Sequence, residues 1–219
     1  MRGRSPLAVY IVLAACIFVL LAGGVYGALT IEAEGPGGSG DGLGGSAPLV
    51  EPGPPAPPVD LAAVIAPGPA GFDQIPDASL LAGGPVDIER LAAERGEETR
   101  AVFQETRLVN GFIRAWQKPA SGELVTVRLY QFADEKGATS YSKRVVQAMS
   151  KPPSTTFVVP ATDDTVGIDT HVDQGPNRLA YVFARRGRVV AALAATAAPP
   201  PEAGFLAPLA RTQLELLPR

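Results

Sequence analysis

The sequence predicts an α+β fold in which helices pack on an antiparallel sheet, preceded by a transmembrane helix and a disordered linker. Three patterns carry this prediction: an uncharged run long enough to cross a bilayer, a Gly- and Pro-rich stretch, and alternating strand-like and helix-like segments. Along the 219-residue chain we assign residues 1–6 to the cytoplasm, 7–29 to a signal anchor, 30–70 to the linker and 71–219 to the domain.

The hydrophobic run from Leu7 to Leu29 contains no charged side chain. At about 1.5 Å per residue, a helix of this length crosses the hydrocarbon core of a bilayer. Arg2 and Arg4 precede the run, whereas the first charges after it are acidic. Because basic residues are retained on the cytoplasmic side, the sequence predicts a single-pass cell-membrane protein whose C-terminal domain is extracytoplasmic.

Two other interpretations of the hydrophobic run stay open. The segment from Leu13 to Cys16 resembles a bacterial lipobox, in which Cys16 is the lipidation site, but the run stays apolar after Cys16 and this favours an uncleaved anchor. Val25-Tyr26-Gly27 is a poor match to the A-x-A pattern of a secretory cleavage site. Cys16 is the one cysteine of the chain, so the outer domain has no disulfide and depends on core packing.

The linker joins a Gly-rich half, GPGGSGDGLGGS, to a Pro-rich half, EPGPPAPPVD. Neither composition fills a core, so we expect a solvated tether. Pro52 to Pro58 offers the alternative of docking on an aromatic groove of a partner. The apolar patch from Leu61 to Ile65 packs either on the domain or on another protein.

The first half of the domain predicts a short helix, a hairpin and a longer helix. The first helix covers about 86–93 and ends at Gly96, and the hairpin strands cover 108–117 and 124–132. Asp134 is placed to cap the longer helix, which Pro152-Pro153 stops. Its apolar stripe should lie across the sheet that the hairpin begins.

The second half predicts more antiparallel strands and a closing helix. The strands lie near 156–159, 166–172, 178–185 and 188–196, and Arg186-Gly187 forms a tight turn. Because Val189 to Ala195 is apolar on both faces, we expect this strand to be central and covered on each side. In the closing helix near 207–217, Gln213 is the polar exception on the inner side.

Three stretches of the domain resemble segments of uncharacterised actinobacterial cell-envelope proteins: NGFIRAW at 110–116, YQFADEKGA at 130–138 and YVFARRGRVV at 181–190. Some of those proteins are lipoproteins, and others carry sensor-type domains with a PsbP-like sandwich fold. The resemblance therefore implies this fold over about 71–219 and a cell-surface setting. It implies no set of catalytic residues, and the apolar sequence after Cys16 departs from the lipidated members.

No pattern in the sequence predicts catalysis, a cofactor or a metal centre. Asp169, His171 and Asp173 alternate along a strand and are weak metal-ligand candidates, but the pattern favours the exposed side of an amphipathic strand. Ser140 and Lys143 match the S-x-x-K motif, yet its companion S-x-N and K-T-G motifs are missing from the sequence. We therefore expect both to be surface residues of a helix.

Two strand faces combine aromatic and basic residues. Phe112, Arg114 and Trp116 share one face, and Arg128 and Tyr130 share a face of the partner strand. If the two faces coincide, they form a ligand- or partner-binding site suited to a carboxylate, a sugar or a peptide. The alternative is a core rim in which the Arg stems cover the rings.

A second basic feature is the hairpin tip with Arg185, Arg186 and Arg188. These side chains either touch anionic lipid or wall polymer, or lie on a solvated turn. The net charge of −3 argues against nucleic acid as a partner.

Together these patterns indicate a non-catalytic, membrane-anchored binding or interaction module of a bacterial cell envelope, with no cofactor. The predicted partners are the membrane itself, through the N-terminal helix, and an envelope protein, a lipid or a wall polymer. Two alternatives are an envelope hydrolase or transferase of unrecognised type and a structural component of an envelope complex.

Overall fold

The computed structural model describes residues 57–77, 83–151, 154–159, 165–170, 178–197 and 205–218. The predicted signal anchor, the lipobox with Cys16 and most of the Gly- and Pro-rich stretch lie outside the described residues. Within the described ranges, no helix combines the length and the apolar character needed to span a membrane.

The described residues form four helices and one antiparallel sheet of eight strands. In chain order the elements are β1 (Asp73–Gln74), β2 (Gly84–Val86), α1 (Ile88–Arg95), α2 (Glu97–Glu105), β3 (Leu108–Gln117), β4 (Leu124–Phe132), α3 (Glu135–Met149), β5 (Thr155–Val158), β6 (Thr165–Thr170), β7 (Arg178–Arg186), β8 (Val189–Ala197) and α4 (Ala207–Leu216). The strand order is β1-β3-β4-β8-β7-β6-β5, and β2 also pairs with β3. The predicted mixture of helices with an antiparallel sheet is confirmed.

The start of the domain differs in detail from the prediction. The Asp87 carboxylate accepts a hydrogen bond from the Arg90 backbone N–H at 2.8 Å and thereby caps α1, while Gly96, at a φ of 93°, ends it. The edge strand β2 precedes α1, and the unpredicted helix α2 follows at once. Charged residues outnumber apolar ones in α2, so its sequence gives little sign of the face that buries Phe103.

The cap and the position predicted for helix α3 are both confirmed. The Asp134 carboxylate accepts a hydrogen bond from the Gly137 N–H at 2.7 Å. Tyr141 packs on the β4 side of the sheet, and Val145 and Met149 pack over β6 and β7. One apolar stripe therefore joins the two halves of the sheet.

The sheet has two differently covered faces. Helices α1, α2 and α3 pack on one face, which we call the helix face. Helix α4 and residues 57–72, which we call the strap, pack on the other, which we call the strap face. The sheet is thus buried between two layers.

The strap belongs to the folded unit. We had expected residues 57–70 to be part of the linker, so the domain begins earlier in the chain than its sequence indicates. Leu61 and Ile65 are buried against the sheet, so the apolar patch packs on the domain itself. The buried Gln213 amide accepts from the Ala66 N–H and donates to the Val64 carbonyl, both at 2.8 Å. This pairing explains the polar exception on the inner side of α4.

Strand β8 is central, as predicted, because it lies between β4 and β7. On the strap face its residues Ala191, Leu193 and Ala195 are buried. On the helix face Ala192 and Ala194 are only half-buried. The predicted cover is therefore complete at Val190 and partial at Ala192 and Ala194, which pack against the buried cluster of Ile168, Leu179, Tyr181 and Phe183.

Candidate functional site

The register of the β3–β4 hairpin places the two strand faces that combine aromatic and basic residues on opposite sides of the sheet. Phe112 lies opposite Leu129 and Arg114 lies opposite Val127, whereas Arg128 lies opposite Ile113. Cross-strand partners point to the same side of a sheet, so Phe112, Arg114 and Trp116 are on the strap face and Arg128 and Tyr130 are on the helix face. The two faces therefore do not coincide, and the condition for one joint binding site is not met.

Trp116 is a core residue. Its side chain is 4% exposed and lies beneath the strap, where a Cβ added to Gly68 would be 2.3 Å from the indole Cδ1. Phe112 is also buried, and the Arg114 guanidinium stacks over its ring at 5.0 Å from the centroid. Arg114 Nη2 is 3.5 Å from Asp77 Oδ2. This half of the predicted site matches the alternative in which arginine covers aromatic rings at the rim of a core.

The helix face holds a half-buried strip at the centre of the sheet. In the register Arg128 lies opposite Ala192, Thr126 opposite Ala194 and Leu124 opposite Thr196. We define the central strip as the half-buried members of this set: Thr126, Arg128, Ala192, Ala194 and Thr196. No hydrogen bond or ion pair joins the Arg128 side chain to the described part of the chain. The strip therefore offers one positive charge among small side chains.

A cluster of aromatic residues adjoins the strip. Tyr130 is two residues beyond Arg128 on the same face, and its ring lies 5.2 Å from that of Phe103 and 5.6 Å from that of Tyr141. Tyr181, on β7, lies opposite Ala194 of the strip. We refer to Tyr130, Tyr141 and Tyr181 as the tyrosine cluster.

Arg95, the last residue of α1, brings a second positive charge to the tyrosine cluster. Its guanidinium lies within electrostatic range of all three tyrosines. Arg95 Nη2 and the Tyr130 hydroxyl are both buried, and the two groups lie within hydrogen-bonding reach of each other, while Arg95 as a whole is half-buried. Sequence reasoning missed this residue, because an arginine in the last turn of a helix is ordinarily a surface residue that complements the helix dipole.

The hydroxyls of the tyrosine cluster are neutral at physiological pH. Burial raises the pKa of Tyr130 and Tyr141, and it raises the pKa of Tyr181 to about 12, although the Arg95 charge opposes the shift in each case. The guanidinium of Arg95 stays protonated, as arginine does throughout the physiological range. The cluster therefore presents hydrogen-bond donors around one cation.

The weak metal and nucleophile candidates gain no support. Within the described ranges, no group of three or more His, Cys, Asp and Glu residues lies together as a metal site requires. Asp169 falls in β6, paired with Ala180 of β7, while His171 and Asp173 lie outside the described residues. Ser140 and Lys143 are exposed in the middle of α3, as predicted.

The arginines at the hairpin tip bind the domain itself. Arg186 Nη1 donates to the Leu214 carbonyl at 2.6 Å and thereby satisfies the C-terminal end of α4. Arg188 Nη2 donates to the Pro57 carbonyl of the strap at 2.9 Å. Intramolecular hydrogen bonds therefore hold part of each of these two half-buried guanidinium groups, and contact of the hairpin tip with an anionic polymer stays a prediction.

Comparison with known proteins identifies a shared fold and no family. No protein-family model matches the chain, and no curated protein matches it. Among solved structures the chain is similar to the extracellular domain of PknH from Mycobacterium tuberculosis, with a TM-score of 0.50 at 10% sequence identity. The match covers 74% of this chain and 97% of that one. The α+β fold of this chain is thus one that an extracellular domain also adopts.

Proposed function

We propose that this protein is a membrane-tethered, extracytoplasmic recognition module of a bacterial cell envelope, which binds a partner without catalysing a reaction on it. The observation that carries the proposal is the central strip. In a sheet covered on both faces, these small side chains and Arg128 stay partly accessible in the middle of the helix face. Binding sites commonly combine such a floor with a few polar groups that fix the orientation of the ligand.

The chemistry of the strip favours binding over catalysis. It holds two threonines, two alanines and one arginine, and none of these can act as a general base near neutral pH. A hydrolase or transferase needs a base or an activated nucleophile beside its substrate. The alternative of an unrecognised envelope enzyme is therefore disfavoured, while a structural component of an envelope complex would use the strip as its interface.

The sequence and the fold both favour a location outside the cytoplasm. The uncharged run at 7–29, with Arg2 and Arg4 before it, directs the domain outward, and the fold is shared with an extracellular domain. Lipidation at Cys16 would give the same location by another route. The setting agrees with sensor-type actinobacterial envelope proteins of the PsbP-like fold, and the candidate partners are an envelope protein, a lipid or a wall polymer rather than nucleic acid.

An extracytoplasmic domain can be tested with a reporter fused to its C-terminus. A reporter enzyme that is active only outside the cytoplasm, joined after Arg219, should be active in intact cells. The matched control lacks residues 7–29 and should be inactive. If the full-length fusion is inactive, and a second fusion to a reporter that works only in the cytoplasm is active, the orientation is overturned.

Recognition at the strip predicts a position-specific crosslink. A photo-crosslinking amino acid at Thr126 should form an adduct in intact cells, whereas the same group at Thr212, exposed on α4, should form none. Arg128→Gln should lower the adduct yield about tenfold, because a central arginine often dominates an interface. Equal yields at the two positions, or an unchanged yield in Arg128→Gln, would exclude the strip as the binding surface.

A further inference from the structure

The strap is held through its main chain, as a peptide ligand is held in a groove. Among the described residues, 57–72 form no β-ladder with the sheet, and polar side chains of the domain bind their backbone instead. The buried Gln131 amide accepts from the Val59 N–H at 2.8 Å and donates to the Pro57 carbonyl at 3.2 Å. Asn110 Nδ2 donates to the Val59 carbonyl at 3.2 Å. We define the strap groove as the side chains that hold this segment: Asn110, Trp116, Gln131, Arg188 and Gln213.

The side chains of the strap determine which segment the groove accepts. Leu61, Ile65 and Ala66 are buried against the domain. Gly68 lies so close to Trp116 that any larger residue at this position must displace the ring. In this mode of peptide recognition, main-chain hydrogen bonds give affinity and buried side-chain positions give specificity. The groove therefore fits an extended segment with two apolar anchors four residues apart and a glycine after them.

A turn that can open at little cost joins the strap to the rest of the domain. The Phe72 N–H donates to the Pro69 carbonyl at 3.2 Å in this turn. Gly71 has a φ of 80°, and no described atom lies within 4 Å of the place where its Cβ would be. Because glycine adopts negative φ as readily as positive φ, the backbone can extend here. Residues 57–69 would then swing away while β1 stays paired with β3.

We propose that the strap groove also binds the strap of a second copy, so that two copies exchange straps and form a dimer. The second copy is the occupant with a demonstrated fit, since its strap presents the same backbone groups and the same buried side chains. Exchange retains the contacts between strap and groove and changes only the turn, which makes it a low-cost route to a dimer. The predicted anchor would confine the copies to one membrane and raise their effective concentration.

The strap groove is on the strap face, whereas the central strip is on the helix face. The inference therefore goes beyond the proposed function and does not depend on the strip.

The first experiment tests whether an emptied groove accepts a strap from outside. Gly68→Val in the full chain should release the strap, because the added side chain collides with Trp116. A synthetic peptide of residues 57–72, which contains no Trp, should then bind in detergent micelles, shift the Trp116 fluorescence to the blue and raise the unfolding temperature. The wild-type chain should bind the peptide at least about tenfold more weakly, because its own strap competes.

Two controls show whether this binding is specific. Ala63→Val, which enlarges an exposed side chain of the same strap, should bind the peptide as weakly as the wild type does. A peptide that carries Leu61→Asp and Ile65→Asp should bind Gly68→Val about tenfold more weakly or not at all, because it would bury two carboxylates. If Gly68→Val folds and does not bind the peptide, or binds both peptides equally, the groove is not a peptide site.

The second experiment tests exchange between copies. One wild-type copy carries a photo-crosslinking amino acid at Val64, which packs on the strap-face core, and a second copy in the same cells carries only an affinity tag. Exchange predicts an adduct between the two copies, whereas the same group at Gln147, exposed on α3, should give none. Gly68→Val in the tagged copy should raise the adduct yield about fivefold, because its groove is empty. If Gly68→Val does not fold, the contrast between Val64 and Gln147 decides.

Three crosslinking results contradict exchange: adducts at Val64 that stay within one copy, equal adducts between copies at both positions, or an adduct to a foreign protein in place of the tagged copy. The last result would assign the groove to that protein. Loss of the crosslink at Thr126 together with an adduct between copies at Val64 would reject recognition at the central strip and retain strap exchange, so the two proposals fail separately.

Discussion

Replacing Trp116 by Ala is expected to lower the free energy of unfolding by about 3–5 kcal/mol, the penalty for truncating a large core side chain. The indole is buried together with Leu61 and Ile65 of the strap, so its removal opens a cavity between the strap and the sheet. The measurement is urea unfolding of the full chain followed by far-UV circular dichroism, since the variant has lost the single Trp of the chain.

A matched control is Val109→Ala, which truncates a side chain that is 36% exposed on the same strand, β3. It should change the free energy of unfolding by less than about 0.5 kcal/mol. If Trp116→Ala costs less than about 1 kcal/mol, the strap does not cover the ring in solution. Trp116 would then again be a candidate for the binding surface.

Much of the fold was predictable because local patterns specify it. The alternation of side chains in 108–117 and 124–132 gave the hairpin, and Asp134 marked the start of α3, because each signal depends on a few neighbouring residues. The strap, β1 and β2 were not predicted. Their places are set by contacts with distant residues, such as the pairing of Asp73 with Gln117, which no local pattern records.

The candidate site was predicted only in part, and the reason is geometric. Parity along a strand shows that Arg128 and Tyr130 share a face, and the structure keeps them together. Parity cannot show the register between two strands, and one residue of register decides whether Trp116 joins them or lies on the opposite face. Arg95 and Tyr181 come to the site from α1 and β7, so only the tertiary arrangement brings them near Tyr130.

The second large effect is expected at Gln213, where replacement by Ala should cost about 2–4 kcal/mol. The Gln213 side chain is fully buried, and its amide satisfies the Ala66 N–H and the Val64 carbonyl. Truncation leaves both backbone groups of the strap without a partner, and a buried unsatisfied group costs about 1–3 kcal/mol. The resulting variant can recover part of this energy only by releasing the strap to water.

Release of the strap has its own signature, because the strap covers Trp116. Gln213→Ala should shift the Trp116 fluorescence to the red under native conditions and speed amide hydrogen exchange at Ala66, while exchange in β4 stays slow. Thr212→Ala, which changes the exposed neighbour on the same helix, should leave both signals unaltered. Unchanged fluorescence together with a loss of stability below about 0.5 kcal/mol would mean that Gln213 does not hold the strap. The strap joins the Gly- and Pro-rich stretch to the sheet, so its release would add residues 57–72 to the tether and lengthen it.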